Sequence, residues 1–109
     1  SNIAFAAVEG GKLDAVKYAL QVSPDLNVTG PGGATLMHVA LTARTTKLSP
    51  DVIQYLADQG AKLDAKNARG QTPADLIARG APPEIQTLYA NILKAHGIGV
   101  KTDGQVAQQ

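Results

Sequence analysis

His38 and His96 are the side chains of this 109-residue chain best suited to metal ligation or general-base work, and nothing in the sequence completes a site around either. They are far apart, no Cys accompanies them, and neither belongs to an HxxxH or HxxH pair. His38 therefore reads as a capping residue at a helix start and His96 as a residue at a helix C-terminus. The loop Gly30-Pro31-Gly32-Gly33 precedes a helix start, where backbone amides attract anions. No lysine follows at phosphate-loop spacing and no strand precedes it, so it reads as a hairpin tip. Asn27-Val28-Thr29 has the form of a glycosylation sequon, but a turn with an Asx hydrogen bond accounts for Asn27 without a sugar. The carboxylates Asp14, Asp51, Asp64, Asp75 and Glu84 are scattered over helix starts and turns, each with a local capping or solvation role. No nucleophile stands near a base and no nucleotide fingerprint is present. The expectation is a non-catalytic protein with no catalytic residue, no cofactor and no metal.

The elements that carry these residues come from an internal repeat. Gly33-Ala34-Thr35-Leu36-Met37-His38 returns as Gly70-Gln71-Thr72-Pro73-Ala74-Asp75, and Ala15-Val16-Lys17-Tyr18-Ala19 returns as Val52-Ile53-Gln54-Tyr55-Leu56, both at an offset of 37. Phe5 meets His38 at an offset of 33, so the unit is 33 residues and one copy carries four more, within Ala43 to Pro50. Thr72-Pro73 starts a helix: threonine caps the free amides, proline loses nothing by lacking an N–H, and Asp75 reaches back as in a capping box. Thr35 starts a helix in the same way, with His38 in the Asp75 position. These first helices run roughly from Leu36 to Thr42 and from Pro73 to Arg79. In the middle copy, Ser49-Pro50-Asp51 opens a second helix that should end at a left-handed Gly60. The segments Asn27 to Ala34 and Asp64 to Gln71 hold too few apolar residues for a buried strand and read as exposed hairpin-like turns. Tyr18 and Tyr55 occupy equivalent places on second helices and are expected to pack the core.

Three stretches carry a family resemblance: Gly33-Ala34-Thr35-Leu36-Met37-His38-Val39-Ala40-Leu41, Gly70-Gln71-Thr72-Pro73-Ala74-Asp75-Leu76-Ile77-Ala78, and Tyr55-Leu56-Ala57-Asp58-Gln59-Gly60-Ala61-Lys62-Leu63-Asp64-Ala65. Together they resemble the ankyrin repeat pattern, over about Ile3 to Leu93. The resemblance implies an all-α helix-turn-helix solenoid of about three repeats, in which Thr35 and His38 are structural. Residues 1–97 would form one domain, divided at about 3–29 (a partial first repeat), 30–66 (a second repeat with the four-residue insertion) and 67–97 (a C-terminal repeat or cap). A polar tail or linker would follow over 98–109, with Ile98 and Val100 laid against the last helix.

Departures from the pattern set further expectations. Ile3-Ala4-Phe5 replaces the T-P-L-H segment with no hairpin before it, so the chain reads as starting inside a repeat. Ser23-Pro24 replaces Gly-Ala at the end of the first unit and should alter that turn. The last helix, opened by Glu84, aligns Ile85, Leu88, Tyr89, Ile92 and Leu93 on one stripe with polar residues opposite, as a stack needs in order to stop. An apolar fraction of 44% with only 4% aromatic implies a thin core of Ala, Leu, Val and Ile of marginal to moderate stability. A net charge of +1 gives no field for nucleic acid or membrane, and no apolar run reaches the length of a spanning helix. With no signal or spanning segment in view, the compartment stays open, with the cytoplasm as the default.

What remains for function is a surface. The resemblance implies a concave face formed by hairpin tips and first helices, with partner-binding positions at Thr29 and Pro31 on the first hairpin and Lys66, Arg69 and Gln71 on the second. Glu9, Thr42 and Arg79 complete it from the first helices. Lys66, Arg69 and Arg79 would make one half modestly basic and suited to a protein partner with an acidic segment. The alternative is a regulatory or spacer segment of a larger enzyme or membrane-associated protein, packed intramolecularly. The chain is expected to be a monomer, with self-association through its N-terminal end as the other option. The inserted loop, with Arg44, Thr45, Thr46 and Lys47, reads as a tolerated surface insertion.

Overall fold

The computed structural model describes residues 3–42, 48–78 and 80–98. Six α-helices fill these residues, with no strand among them: α1 (Ile3–Gly10), α2 (Leu13–Val22), α3 (Leu36–Ala40), α4 (Pro50–Asp58), α5 (Pro73–Ala78) and α6 (Pro83–Ala95). They pack as three sequential pairs, α1 with α2, α3 with α4 and α5 with α6. Across the pairs, α1 meets α3 and α3 meets α5, while α2 meets α4 and α4 meets α6. The result is two rows of helices, one of α1, α3 and α5 and the other of α2, α4 and α6.

Helix starts lie where the cap chemistry puts them. The Thr35 hydroxyl accepts the His38 amide at 3.3 Å while the His38 ring accepts the Thr35 amide at 3.1 Å, a capping box with histidine in the return position. At α5 the Thr72 amide donates to the Asp75 carboxylate at 2.9 Å and the Asp75 amide to the Thr72 hydroxyl at 3.2 Å. The Thr72 amide bond to the carboxylate first, and then hydrogen bonding from the Thr72 side chain, with a smaller contribution from the charge of Lys66, hold the Asp75 carboxyl below its usual range. The Ser49 hydroxyl caps α4 through the Val52 amide, with Pro50 in the first turn.

Helix ends follow the residue that comes next. After α4, Gly60 takes φ of +96°, its amide donating to Ala57 and the Ala61 amide to Leu56 at 3.0 Å, a Schellman motif. Gly97 and Ile98 close α6 in the same way on Lys94 and Leu93, and Ile98 packs on the core. At α2, Ser23 stands in that place at φ of −130° and makes only a helical bond back to Ala19, so the chain leaves extended. Val100 and the rest of the tail lie outside the described residues, as does the inserted segment 43–47.

The core runs the length of the two rows through Val8, Val16, Leu36, Met37, Ile53, Leu56 and Tyr89. Full burial of each such side chain contributes about 1.5–3 kcal/mol. Ile85, Tyr89, Ile92 and Leu93 bury the expected stripe of α6, with Leu88 half-buried beside them. One expectation fails here: Tyr18 is 61% exposed, whereas its counterpart Tyr55 packs against the core under Lys17, whose Nζ lies 5.7 Å from the ring centre. Tyr55, on α4, has α2 beside it in the same row; among the described residues no helix flanks α2 on its other side.

The two turn segments are built alike and joined. Gly30 donates to the Ala34 carbonyl at 2.8 Å and Asn67 to the Gln71 carbonyl at 2.9 Å, the same closure 37 residues on. The Ala68 amide then donates to the Gly32 carbonyl at 2.8 Å, tying one hairpin to the next. Gly33 sits beneath that bond at φ of +72°, where an added Cβ would stand 2.9 Å from the Ala68 nitrogen. Its equivalent Gly70 has φ of +76° but nothing near.

This packing makes the two glycines unequal. Gly70→Ala should cost about 1–2 kcal/mol for the left-handed backbone alone, and Gly33→Ala at least about 1 kcal/mol more, because the new methyl strikes backbone; equal losses in urea titrations would contradict the tight hairpin contact. Tyr89 donates to the Leu63 carbonyl at 2.7 Å, and burial, with the Asp64 charge second, raises its phenol above the usual range. A raised folded pKa means that this stabilisation is complete below the ordinary tyrosine value of about 10 and is lost as pH rises beyond it. Tyr89→Phe should therefore cost about 1 kcal/mol near neutrality, and thermal melts should show the gap to wild type shrinking at about pH 11. A constant gap would contradict the assignment.

Candidate functional site

An open groove of about 770 Å³ runs along the hairpins and the first row of helices. Glu9 from the end of α1 and Thr42 just after α3 border it on the helix side. Pro31, Gly32 and Ala34 of the first hairpin and Asn67, Ala68, Arg69 and Gln71 of the second border it on the other, with His38 and Leu76 also lining it.

Its floor is fixed by one buried side chain. His38 is only 1% exposed, and its Nδ1 accepts the Thr35 amide with the Thr35 hydroxyl 2.8 Å away. Nε2 lies 2.8 Å from the Gln71 carbonyl, which can only accept, so the ring proton sits on Nε2 and is donated there. A single imidazole thus caps α3 and holds the next hairpin, and both of its nitrogens are engaged.

Asn67 organises the second hairpin. Its Oδ1 accepts the amides of Arg69 at 2.9 Å and Gln71 at 3.0 Å, and its Nδ2 donates to Gln71 Oε1 at 3.1 Å. The first hairpin has Gly30 at the equivalent place, and a Cβ there would press on the Phe5 ring at 3.3 Å. In the earlier bend the Asx-type bond is made by Asp25, whose carboxylate accepts the Asn27 amide at 2.8 Å, and not by the Asn27 side chain.

The groove gathers Glu9, Pro31, Thr42, Arg69 and Gln71 from the expected positions. Thr29 is exposed but does not line it. Lys66 is exposed outside the lining, and its charge acts on Asp75. Arg79 lies outside the described residues. The expected basic half therefore shrinks to Arg69 among the described lining residues, balanced by Glu9 across the groove. Gln71 proves to be a structural node as well as a lining residue, and the Thr42 hydroxyl donates to the His38 carbonyl at 2.8 Å. Asn67 and Leu76 were missed by sequence reasoning; the 37-residue register that marks Gly30 as a hairpin position marks Asn67 too.

Glu9 sits in the last turn of α1, where the helix dipole disfavours a carboxylate. Among the described residues, no three His, Asp or Glu side chains come together as a metal-ligand set, and no helix is long and apolar enough to cross a membrane.

His38→Ala removes the return arm of the capping box and the bond to Gln71, leaving the Thr35 amide without its partner and the Gln71 carbonyl with the Asn67 amide alone. The expected loss is about 2–4 kcal/mol in chemical denaturation, with faster amide exchange at Asn67 to Gln71. A loss confined to α3, with the hairpin amides unchanged, would contradict the bridging role.

Comparison with known proteins finds a distant relative. The potassium channel AKT1 of Arabidopsis thaliana is 24% identical over 105 residues, covering 96% of this chain and 12% of the channel. No protein-family model matches the chain. The chain is thus all-helical among its described residues and distantly similar, over almost its whole length, to a short part of a much longer plant channel.

Proposed function

We propose that the chain is an ankyrin-type stack of about three helical repeats acting as a non-catalytic protein-interaction scaffold. A partner segment lies in the groove between the hairpin tips and the first row of helices. The observation that carries this reading is the groove itself: its lining comes from successive units at equivalent positions, and its floor is pinned by His38. Specific binding favours such preorganised surfaces because less ordering entropy is lost on association. Support for the repeat architecture comes from the 37-residue register, the matching capping boxes at Thr35 and Thr72, and the two rows of helices.

The charge of the groove supports one kind of partner. Arg69 is an exposed guanidinium at the second hairpin tip, suited to a carboxylate on the bound segment, and Glu9 at the opposite border is suited to a cation. The proposed partner is a protein segment with an acidic residue at the Arg69 end. Nucleic acid is disfavoured, because phosphate binding rests on several cations and the groove presents one among its described residues.

A second reading has its own observation. The match to the channel spans 12% of that protein, which supports a regulatory or spacer role within a larger, membrane-associated protein. The two readings share the fold and differ in whether the groove is filled from the same polypeptide.

Affinity capture beside an Arg69→Glu, Thr42→Arg variant tests the groove. The expected outcome is a protein held by the wild type and lost from the variant, at a cost of at least tenfold in affinity, with unchanged circular dichroism. Equal capture by both would place binding elsewhere.

A further inference from the structure

Gln71 is held at every polar group but one. Its amide N–H donates to Asn67 Oδ1 at 3.0 Å, its carbonyl accepts the Asn67 amide at 2.9 Å and the His38 ring at 2.8 Å, and its side-chain oxygen accepts Asn67 Nδ2 at 3.1 Å. Its Nε2 has no acceptor among the described residues. Which end of the amide stays unpaired is dictated by the backbone. Asn67 sets one end of its own amide against the N–H groups of Arg69 and Gln71, and two donors demand an oxygen there. Asn67 Nδ2 therefore faces Gln71, the atom it meets must be the oxygen, and the nitrogen is left for the groove that Gln71 lines.

Hairpin closure does not call for this side chain. The first hairpin closes with the same bond, from Gly30 to the Ala34 carbonyl, with Ala34 at the Gln71 position and Gly32 at the Arg69 position. Of the two hairpins, the second alone adds side-chain donors to the lining, the exposed Arg69 guanidinium and Gln71 Nε2, two residues apart. A charged fork and a held N–H together suit a carboxylate, whose two oxygens can accept from both. A carboxamide of the same shape lacks the charge and turns an NH2 group against one of the donors.

We propose that Gln71 selects the partner: its Nε2 donates to the carboxylate of an Asp or Glu side chain that Arg69 pairs, so the groove accepts an acidic residue there and rejects the matching amide. This selection presupposes that the groove is the binding surface. The carboxylate belongs to a side chain, because the groove runs on past both residues to the first hairpin and Glu9, with room for the segment to continue.

Selection of binders to the full chain from a random peptide library tests it, with each peptide fused to its carrier through the C-terminus so that only side chains supply carboxylates. Peptides held by the wild type and lost from the Arg69→Glu, Thr42→Arg variant should carry an Asp or Glu whose change to Asn or Gln weakens binding at least about tenfold. Gln71→Glu keeps the oxygen that Asn67 holds and turns the outward donor into an acceptor. It should bind the acidic peptide at least about tenfold more weakly than the wild type does, and the amide peptide more tightly. Repulsion by the new charge explains the first change but not the second. An amide peptide bound no better by Gln71→Glu would therefore overturn the role of Nε2 while leaving the groove as the binding surface, as would groove-dependent peptides with no acidic requirement. If no selected peptide depends on the groove residues, the selection by Gln71 and the groove reading both fall.

Discussion

The bond from His38 to the Gln71 carbonyl is the constraint on which the rest of this molecule depends. Short helices of five and six residues, such as α3 and α5, do not hold themselves together in water. They persist because their ends are capped and their apolar sides are covered. His38 does both: it closes the start of α3 on Thr35, fills buried space, and fixes the backbone of the following hairpin. The bond from Ala68 to Gly32 adds a second tie between hairpins, and Gly33 is the residue that lets the two backbones approach. Order in the groove is a consequence of order among the helical pairs, because the same polar contacts that join the pairs shape its floor.

The two ends of the helical rows differ for a reason visible in single residues. At the C-terminal end, Gln86, Ala78 and Asp75 take the places that Ile53, Leu41 and His38 hold one helical pair earlier, so small or polar residues replace large buried ones there. Asp75 keeps only the local half of what His38 does, returning to the Thr72 amide. At the other end, Ile3 and Tyr18 are exposed where their counterparts Leu36 and Tyr55 are covered, and Val22 is exposed as well.

Much of this was legible in the sequence because capping is local chemistry. Thr35 with His38, Thr72 with Asp75, and Ser49 with Pro50 each declare a helix start within four residues, and all three are realised. What was not legible depended on neighbours. Tyr18 and Tyr55 share a register, yet only the presence or absence of a preceding helix decides which is buried. Lys66 shares the hairpin register of the groove residues but acts on Asp75, since side-chain direction within a turn is set by backbone geometry that spacing does not encode. The Asx bond moved from Asn27 to Asp25 and Asn67 for the same reason.

Native-state hydrogen exchange at the Ala68 amide is the most direct test of the claim that the hairpins and helices form one cooperative, preorganised unit. That amide belongs to an exposed turn residue and is held only by the Gly32 carbonyl. Protection matching that of core amides such as Ile53, with the same denaturant dependence, is the predicted result. Exchange at loop rates while α3 and α4 stay protected would mean that the hairpins move independently, and that the groove is not a preformed binding surface.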